Sequence, residues 1–508
     1  MSSIFPVPDS AEELVAFARL QARLPALFER VFGDPLAPRT VVVVPGLSMD
    51  GDVLAKVVAG LHYEERQLAM LMLLRLPNTR IVFVSSTPLQ PAIVDYYLGL
   101  LPGVSLEESR ARLELLSASD ASPMTLTQKV LDRPRLLERI RHAIGDPDDA
   151  HLSCFNVTSR ERTLAVRLGI PLYGCDPGLL HYGGKSGSRE IFREAGVPLP
   201  DGAEDLTGVS DLAKSLAALK SRKPELMRAV VKLNDGFSGE GNAVFSFAGC
   251  PAARVRHWIE AHLPLNLAFE AQDMCWDLYI AKLATMGGIV EEWITGEGVR
   301  SPSVQLRITP VGGLEVISTH DQILGGPSGQ IFQACTFPAD PAYAQEIQRL
   351  ALRVGRALLA KGALGRFSVD FVSVPGDDGW RHTAIEINLR KGGTTHTFQM
   401  LQFLTQGRYD AGRTEFVTSD SGTLSYYATD NVVNPLYRRL TPEDLVEVTS
   451  RHDLHFDAQR NYGVVFTLLG ALSEFGKIGI VAIDRNHESA RAMFRSTVQV
   501  LDEEAARD

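Results

Sequence analysis

The chain has 508 residues, enough for about three folded units at roughly 150 residues each. Its 45% hydrophobic and 22% charged residues are typical of a soluble globular protein with cores of ordinary size. The net charge of −10 argues against a nucleic-acid-binding surface, so we expect no nucleic-acid partner.

The cysteines, the N-terminus and the apolar runs together indicate where the protein resides. The five cysteines are scattered without a C-x-x-C pair, which indicates reduced thiols and neither a disulfide framework nor a zinc site. The N-terminal sequence MSSIFPVPDSAEEL lacks the basic and apolar segments of a secretory signal. The longest apolar run, at 68–74, is much shorter than the ~20 residues of a membrane span. We therefore expect a cytoplasmic protein without a membrane partner.

Short apolar runs alternate with helical patterns in the first part of the chain. The runs are VVVVPG (41–46), IVFVSS (81–86) and HLSCFN (151–156), and the helical patterns include YEERQLAMLMLLRL (63–76) and TQKVLDRPRLLERIRHAI (127–144). This order is typical of βαβ units and a parallel sheet. We assign residues 1–180 to this α/β unit.

The pattern changes after residue 180. A glycine turn, a helix and a proline-stopped exit occupy 183–200, and a helix-rich stretch follows. The segments GIVEEWI, SVQLRITP, LEVISTHD, RFSVDFVSV and HTAIEIN predict strands, with a helix near 343–361. We assign 181–409 to a unit of antiparallel strands and flanking helices, with a ligand between two lobes. The remainder, 410–508, contains YGVVFTLLGAL and KIGIVAID before a last helix and predicts a small α+β unit.

A glycine-rich loop stands between two predicted strands at 231–241. The sequence VKLNDGFSGEG places Lys232 at the end of an apolar run and follows it with Gly236, Gly239 and Gly241. Glycines this dense let backbone N–H groups approach a polyphosphate closely. The lysine precedes the glycines, so the loop matches neither a dinucleotide fingerprint nor a P-loop, and we predict that it caps a β-hairpin. On this stretch alone, an ordinary hairpin with a solvated lysine is the alternative.

Two acidic sites occur late in the second unit. Asp370 interrupts the apolar strand SVDFVSV, and Glu386 and Asn388 alternate along IEIN on one face of a strand. Carboxylates are seldom fully buried unless they are paired or bound to a cation, and Mg²⁺ is usually held by one or two carboxylates together with substrate phosphates. The three side chains are candidate metal ligands. The alternative is a pair of carboxylates neutralised by Arg366 or Arg390.

These segments together resemble the ATP-grasp fold. The resemblance is carried by Lys185 before a helix ending EAGVPLP, Lys232 with its glycine loop, VEEWITG (290–296), VDF (369–371) and EINLRKGGTTH (386–396). It extends to the pheganomycin-type peptide ligases through HYEERQL, LPNTRIVFVSS, KSGSREIF and YGVVFTLLGAL. The fold class that it implies is α/β and α+β: a Rossmann-like pre-ATP-grasp domain over 1–180, an ATP-grasp fold of two α+β lobes over 181–409, and a small C-terminal α+β domain over 410–508.

The resemblance implies a nucleotide site. Lys185 and Lys232 would contact the phosphates of ATP, with Lys232 also near the adenine and among the catalytic residues. The loop 236–241 would fold as a mobile lid over the β- and γ-phosphates, with a hydroxyl from Ser238. The adenine pocket would be lined by Glu291, Glu292, Trp293 and Ile294. Many family members carry an acidic residue for the ribose where this sequence has Ser303, so no ribose contact is assigned.

The resemblance also implies a metal site and an acid site. Asp370, Glu386 and Asn388 would hold Mg²⁺, or Mn²⁺ in its place. Arg390, two residues beyond Asn388 and on the same face, would be catalytic and would meet a substrate carboxylate or the acyl phosphate, because the guanidinium fork suits an oxyanion.

Further polar residues are candidates for substrate contact, each with a structural alternative. His320 and Asp321 either face the substrate or form a local hydrogen-bonded turn. Arg307 is either a phosphate contact or a solvated strand residue, and Arg366 is a candidate beside its role as a carboxylate partner. His396 either lies near the active site or makes a contact in the first turn of a helix.

The implied function is that of an ATP-dependent carboxylate–amine ligase in natural-product biosynthesis. A small-molecule or peptide carboxylate would be converted to an acyl phosphate with release of ADP, and an amine would then displace phosphate to form an amide. Two alternatives stay open: a kinase acting on a small molecule, and a non-catalytic nucleotide-binding protein. A homo-oligomer is compatible with the sequence.

Overall fold

The structure is a computed structural model that describes residues 5–48, 51–236, 239, 241–419 and 422–507. Its N-terminal unit is built on a parallel sheet, as predicted. The strands are β1 (Arg39–Val44), β2 (Thr79–Ser85), β3 (Leu113–Ser117) and β4 (Ala150–Cys154). Their order is β3-β2-β1-β4, and Val41 lies beside Ile81 on one side and His151 on the other. The valine-rich central strands are buried on both faces, which is typical of a parallel sheet covered by helices.

Helices cover both faces of this sheet. They are α1 (Ala11–Gln21), α2 (Leu24–Gly33), α3 (Gly51–Lys56), α4 (Pro91–Gly99), α5 (Leu106–Arg110), α6 (Leu126–Leu131), α7 (Pro134–Ile144) and α8 (Ser159–Leu168), with short 3₁₀ helices at Pro147–Asp149 and Pro177–Gly183.

The predicted helix at 63–76 forms as a 3₁₀ helix, Gly60–Arg75. This segment is buried along most of its length, including its charged residues 64–66. A 3₁₀ run of this length is uncommon, and because the segment is buried all round, its conformation follows from packing and not from an amphipathic period.

The first lobe of the second unit is a five-stranded antiparallel sheet. Its strands are β5 (Gly202–Leu206), β6 (Arg228–Leu233), β7 (Asn242–Ser246), β8 (Leu267–Phe269) and β9 (Gly288–Glu292), in the order β5-β9-β6-β7-β8. The helices are α9 (Lys185–Glu194), α10 (Val209–Arg222), α11 (Val255–Asn266) and α12 (Trp276–Met286). The predicted hairpin is confirmed, since β6 pairs with β7 and Lys232 lies opposite Asn242.

The second lobe and the C-terminal unit share one large antiparallel sheet. Its strands are β10 (Ser301–Ile308), β11 (Leu314–Gly325), β12 (Ile331–Phe337), β13 (Gly365–Gly376), β14 (Gly379–Asn388), β15 (Arg408–Asp410), β16 (Glu415–Val417), β17 (Thr423–Val433), β18 (Gly463–Thr467) and β19 (Lys477–Asp484). The order is β14-β13-β10-β11-β12-β17-β16-β15, with β19 pairing with both β17 and β18. The accompanying helices are α13 (Pro341–Ala360), α14 (Gly393–Thr405), α15 (Pro442–Arg451), α16 (Ala471–Phe475) and α17 (His487–Ala505), with a 3₁₀ helix at Pro435–Arg439.

The sheet therefore crosses the predicted boundary at 409/410. β17 pairs with β12 through Cys335 and Ala428, so the C-terminal unit extends the sheet of the second lobe. One apolar cluster joins Leu71 of the 3₁₀ helix, Leu401 of α14 and Ile480 of β19. The predicted domain boundaries at 180 and 409 stay a prediction, because the units on either side share an apolar core. In the described part of the chain, none of the helices combines the length and the apolar character needed to cross a bilayer.

Candidate functional site

The strand register of the large sheet places the predicted metal ligands side by side. Asp370 on β13 lies opposite Ser303 on β10 and opposite Glu386 on β14. Ser303 Oγ donates a hydrogen bond of 2.6 Å to one oxygen of Asp370, and Asn388 Nδ2 donates one of 3.0 Å to the other. Ser303, which stands where many family members carry an acidic residue for the ribose, therefore contacts Asp370.

The two carboxylates have opposite electrostatic surroundings. Burial, and then the neighbouring charge of Glu386, raise the pKa of Asp370 to about 6. Burial also raises the pKa of Glu386, but the ammonium of Lys185 outweighs it and holds this pKa below its usual value. Lys185 Nζ donates a hydrogen bond to Glu386 Oε1. Adjacent carboxylates that repel one another fit a hard divalent cation, whose charge offsets the repulsion.

The predicted alternative, neutralisation by arginine, is not found. Among the ion pairs of the described residues, neither Asp370 nor Glu386 pairs with Arg366 or Arg390. Across the same residues no group of three His, Cys, Asp or Glu side chains is arranged to hold a metal ion. A cation at this site would therefore take its ligands from two carboxylates and oxygen donors of other kinds.

Lys185 is fixed at the first residue of α9. The first turn of the helix is tied to the end of β6, because Asn234 Oδ1 accepts hydrogen bonds from the backbone N–H of Ser186 at 2.9 Å and from its hydroxyl at 2.7 Å. Gly187 must lack a side chain, since a Cβ there would lie 2.1 Å from the carbonyl oxygen of His181. The N-terminus of α9 and the side chain of Lys185 thus have one defined position over the large sheet.

Lys232 belongs to a buried charge cluster in the first lobe. Its Nζ lies 2.7 Å from Glu291 Oε2, and Arg189 Nη1 lies 2.6 Å from Glu291 Oε1. Arg189 also contacts Glu204 at 2.9 Å, and Arg193 pairs with the other oxygen of Glu204, so three cations surround two carboxylates. Glu291 is 1% exposed, and a buried carboxylate of this kind needs both partners.

The adjoining strand end carries the other predicted adenine residues. Glu292 accepts a hydrogen bond of 2.8 Å from the backbone N–H of Asp201 and pairs with Lys223. The ring of Trp293 lies 4.9 Å from the guanidinium carbon of Arg228. Both glutamates are thus engaged by protein groups.

A cavity of about 450 Å³ between the lobes collects these residues. The predicted site residues that line it are Lys185, Lys232, Gly236, Gly239, Gly241, Glu291, Glu292, Trp293, Ile294, Asp370, Glu386, Asn388 and Arg390. Phe237, Ser238 and Glu240, and with them the predicted hydroxyl of the lid, lie outside the described residues.

A second cavity of about 610 Å³ adjoins the first. It shares Lys185, Glu386, Asn388 and Arg390 with the first cavity. Its other walls come from the N-terminal unit, from the segment 180–187, from the glycine-rich hairpin, and from α12 with the residues that precede it.

Arg390 lies where the two cavities meet. β14 ends at Asn388, so Arg390 stands in the turn that follows and not on the strand. Its guanidinium carbon lies 5.7 Å from the ring centre of Phe155 in the N-terminal unit. Burial lowers the pKa of Arg390, and the charges of Glu386 and Asp370 counteract this effect.

The structure does not bring His320 and Asp321 to either cavity. His320 is 0% exposed, and its Nε2 lies 2.6 Å from the hydroxyl of Tyr426. The carboxylate of Asp321 accepts hydrogen bonds from the backbone N–H of Asp340 at 2.9 Å and from the hydroxyl of Tyr343 at 2.7 Å. Neither side chain lines a cavity with the other predicted site residues, and Nδ1 of His320 is buried without a hydrogen-bond partner among the described residues, so the structure gives a substrate contact of this pair no support.

Arg307, Arg366 and His396 are also placed elsewhere. Arg307 contacts Glu315 at 2.6 and 3.0 Å, and it lies opposite Arg366, four residues along the strands from the Asp370 site. Burial and the charge of Arg307 lower the pKa of Arg366 to about 10. His396 is 0% exposed in the first turn of α14. None of the three lines either of the two cavities, so their substrate interpretation is corrected.

Sequence reasoning missed several residues of the site. Three residues that hold the predicted ones in place do so through contacts between distant segments of the chain. They are Arg189, Ser303 and Asn234. Arg189 lies within the quoted KSGSREIF, four residues after Lys185 and therefore on the same face of the predicted helix, and this spacing was the available signal.

Comparison with known proteins agrees with this geometry. The IQCH-like ATP-grasp family matches residues 179–263 and 252–412, and the PGM1 C-terminal domain family matches 444–497. L-propargylglycine–L-glutamate ligase of Streptantibioticus cattleyicolor is 30% identical over 445 residues, covering 86% of this chain and 89% of that protein. IQ motif-containing protein H of Danio rerio is 24% identical; the match covers 92% of this chain and 49% of that longer protein.

Solved structures share the fold. N5-carboxyaminoimidazole ribonucleotide synthetase in its ADP complex superposes with a TM-score of 0.53 at 14% identity, over 92% of this chain and 98% of that chain. The biotin carboxylase domain of Hydrogenobacter thermophilus 2-oxoglutarate carboxylase superposes with a TM-score of 0.52 at 11% identity. The match covers 90% of this chain and 89% of that chain. The chain belongs to the ATP-grasp family of ATP-dependent ligases, and its similarity to L-propargylglycine–L-glutamate ligase extends over most of both chains. The predicted α/β and α+β fold class is confirmed.

The buried position of His320 predicts a pH dependence of stability. Burial lowers its pKa to about 3 in the folded protein, against 6.5 when unfolded. As the pH falls below 6.5 the unfolded chain binds a proton that the folded chain does not, so stability is lost between pH 6.5 and 3. At pH 5 this loss is about 2 kcal/mol. The free energy of unfolding is measured by denaturant titration at pH 7 and at pH 5. Its decrease from pH 7 to pH 5 is expected to be about 2 kcal/mol smaller in His320→Phe than in the wild type. The exposed His257→Phe is the control, and an unchanged difference in His320→Phe would contradict the assignment.

Proposed function

We propose that the protein is an ATP-dependent carboxylate–amine ligase that forms an acyl phosphate and releases ADP and phosphate. The observation that carries the proposal is one cavity whose walls include two lysines, a glycine-rich hairpin, the facing carboxylates of Asp370 and Glu386, and Arg390. These are the groups needed to bind a polyphosphate, a divalent cation and an oxyanion within reach of one another. Membership of the ATP-grasp family supports it.

The nucleotide would occupy the first-lobe side of the cavity. Lys185 and Lys232 supply positive charge for the phosphates, and the glycines at 236, 239 and 241 allow backbone N–H groups to approach them. Trp293 and Ile294, at the end of β9, offer an apolar wall and backbone groups to the adenine. Closure of the lobes over the phosphates excludes water, which would otherwise hydrolyse an acyl phosphate.

Asp370, Glu386 and Asn388 are the residues that would hold Mg²⁺, or Mn²⁺ in its place. Their donors fit the ion because two largely buried carboxylates lie opposite one another on adjacent strands. When bound, the cation would neutralise charge on the β- and γ-phosphates. Ser303 and Asn388 fix the orientation of Asp370 through its two oxygens.

Arg390 would act on the acid substrate. It would hold a carboxylate in line with the γ-phosphate, and it would stabilise the oxyanion that forms when the amine adds to the acyl phosphate. The amine would approach through the second cavity, because that cavity meets the first at Arg390. The substrates of the protein would then be a small-molecule or peptide carboxylate and an amine. The five free cysteines support a cytoplasmic location.

The decisive experiment traps the acyl phosphate. The protein is incubated with ATP, Mg²⁺ and each member of a panel of amino acids and dipeptides, with hydroxylamine as the amine. A ligase gives a hydroxamate and ADP that both depend on the acid, whereas a small-molecule kinase gives ADP and a phosphorylated product without hydroxamate. Asp370→Asn is expected to abolish hydroxamate formation. Absence of acid-dependent ADP from the wild type would favour a non-catalytic nucleotide-binding protein.

Lys232→Met is expected to weaken ATP binding at least about tenfold. The variant removes one charge-assisted phosphate contact, worth about 1.5–3 kcal/mol. The measurement is calorimetry with a non-hydrolysable ATP analogue and Mg²⁺. Lys214→Met is the control because Lys214 is exposed on α10, whereas Lys223 pairs with Glu292 and is unsuitable. Equal affinities of the two variants would show that Lys232 has no special role.

Arg390→Lys is expected to slow the chemical step more than it weakens ATP binding. Lysine keeps the charge but loses the two-pronged geometry of the guanidinium, which costs about 2–4 kcal/mol in the barrier. Turnover at saturating substrates is compared with nucleotide affinity from calorimetry. A variant that binds ATP weakly yet turns over normally at saturation would assign Arg390 to the nucleotide and not to the acid.

A further inference from the structure

The quoted HYEERQL segment has no role in the site described so far. It forms part of the 3₁₀ helix Gly60–Arg75, and its four consecutive polar residues at 64–67 are all buried. Burial of charged groups is costly unless each has a partner. The question is what each of these side chains contacts.

Three of the four are satisfied by contacts inside the protein, one within the N-terminal unit and two to the other units. Glu64 Oε2 accepts a hydrogen bond of 2.7 Å from the backbone N–H of Ser86. Glu65 Oε2 accepts one of 3.0 Å from the backbone N–H of Gly470 in the C-terminal unit. Lys391 Nζ, beside Arg390, donates one of 2.9 Å to Gln67. These are structural contacts.

Arg66 differs from its neighbours because it lines the 450 Å³ cavity. Its Nη2 lies 2.6 Å from Asp430 Oδ2, and its guanidinium carbon lies 4.0 Å from the ring centre of Tyr63. Its Nε is buried and has no hydrogen-bond partner among the described residues. The guanidinium is thus held by Asp430 on one side, while part of its hydrogen-bonding capacity is unused.

Asp430 is built to hold a cation. It lies on β17, and Thr467 Oγ1 donates a hydrogen bond of 2.9 Å to its other oxygen. Burial raises the pKa of Asp430, but Arg66, together with His396, whose Nε2 lies 3.6 Å from Oδ1, and the hydroxyl of Thr467, outweighs this effect and keeps the pKa far below its usual value. The carboxylate therefore stays charged and orients Arg66.

Arg66 and Arg390 are two guanidinium groups in one cavity, each beside an aromatic ring of the N-terminal unit. Arg390 forms no ion pair with a carboxylate within the part of the chain that the structure describes. Two like charges taken out of water repel one another, and an anion between them would offset that cost. The cavity has this cationic corner in addition to the two lysines near the nucleotide side.

We propose that Arg66 binds the carboxylate of the acid substrate together with Arg390, and that Asp430 is the positioning residue for Arg66. This inference rests on the proposed ligase function and deepens it. The acid subsite is then built from three units: Arg66 from the N-terminal unit, Arg390 from the second lobe and Asp430 from the C-terminal unit.

The test compares Arg66→Lys with Arg75→Lys. Arg75 lies on the same 3₁₀ helix, donates a 3.0 Å hydrogen bond to the carbonyl of Phe403 and does not line the cavity. With an acid that gives hydroxamate and with saturating hydroxylamine and ATP, Arg66→Lys is expected to raise the KM for the acid at least about tenfold. Its affinity for the ATP analogue is expected to change less than twofold. Arg75→Lys is expected to change neither quantity.

A second variant covers the case in which Arg66→Lys fails to fold. Asp430→Asn keeps the shape of the side chain at 430 and leaves the guanidinium of Arg66 in place, but it removes the charge that orients Arg66. It is expected to raise the KM for the acid with little change in ATP affinity. An unchanged KM for the acid in folded Arg66→Lys overturns the assignment, as does an equal loss of ATP affinity, which would place Arg66 at the nucleotide. A wild type that forms no hydroxamate with any acid overturns the ligase proposal itself, and the two failures are therefore distinguishable.

Discussion

The ion pair between Lys185 and Glu386 is the contact on which the geometry of the site depends. It joins the first turn of α9, whose Ile191 and Phe192 pack in the core of the large sheet, to Glu386 near the end of β14. Burial, and then the charge of the neighbouring Glu386, raise the pKa of Asp370 to about 6. Burial also raises the pKa of Glu386, but Lys185, with Lys232 and Arg390, outweighs this effect and lowers it. The charges that fix Lys185 against the large sheet therefore also prepare the cleft for a cation and phosphates.

Much of this arrangement could be predicted from the sequence. Alternation along IEIN places Glu386 and Asn388 on one face, and the interruption of an apolar strand identifies Asp370. The position of a lysine before a glycine-rich hairpin identifies Lys232. These predictions rest on local periodicity, which has a direct structural meaning in a strand.

What could not be predicted depends on contacts between distant segments. Period-two alternation shows that His320 lies on one face of a strand, but not that this face is the core. The 3₁₀ conformation of Gly60–Arg75 follows from burial on all sides, which no local pattern reports. The pairing of Arg66 with Asp430 joins the N-terminal and C-terminal units, and neither residue carries a local signal. The pairing of β12 with β17, which merges two predicted units into one sheet, is equally non-local.

That shared sheet constrains how the protein can diversify. Separating the chain near 409/410 would leave β12 with an unpaired edge, whose free N–H and C=O groups template aggregation, and would uncover the apolar cluster beneath α14. Chimeras that exchange the C-terminal segment between relatives must therefore reproduce a complementary strand as well as a complementary core. New substrate preferences are accessible more readily through point changes in the cavity walls than through recombination of whole segments.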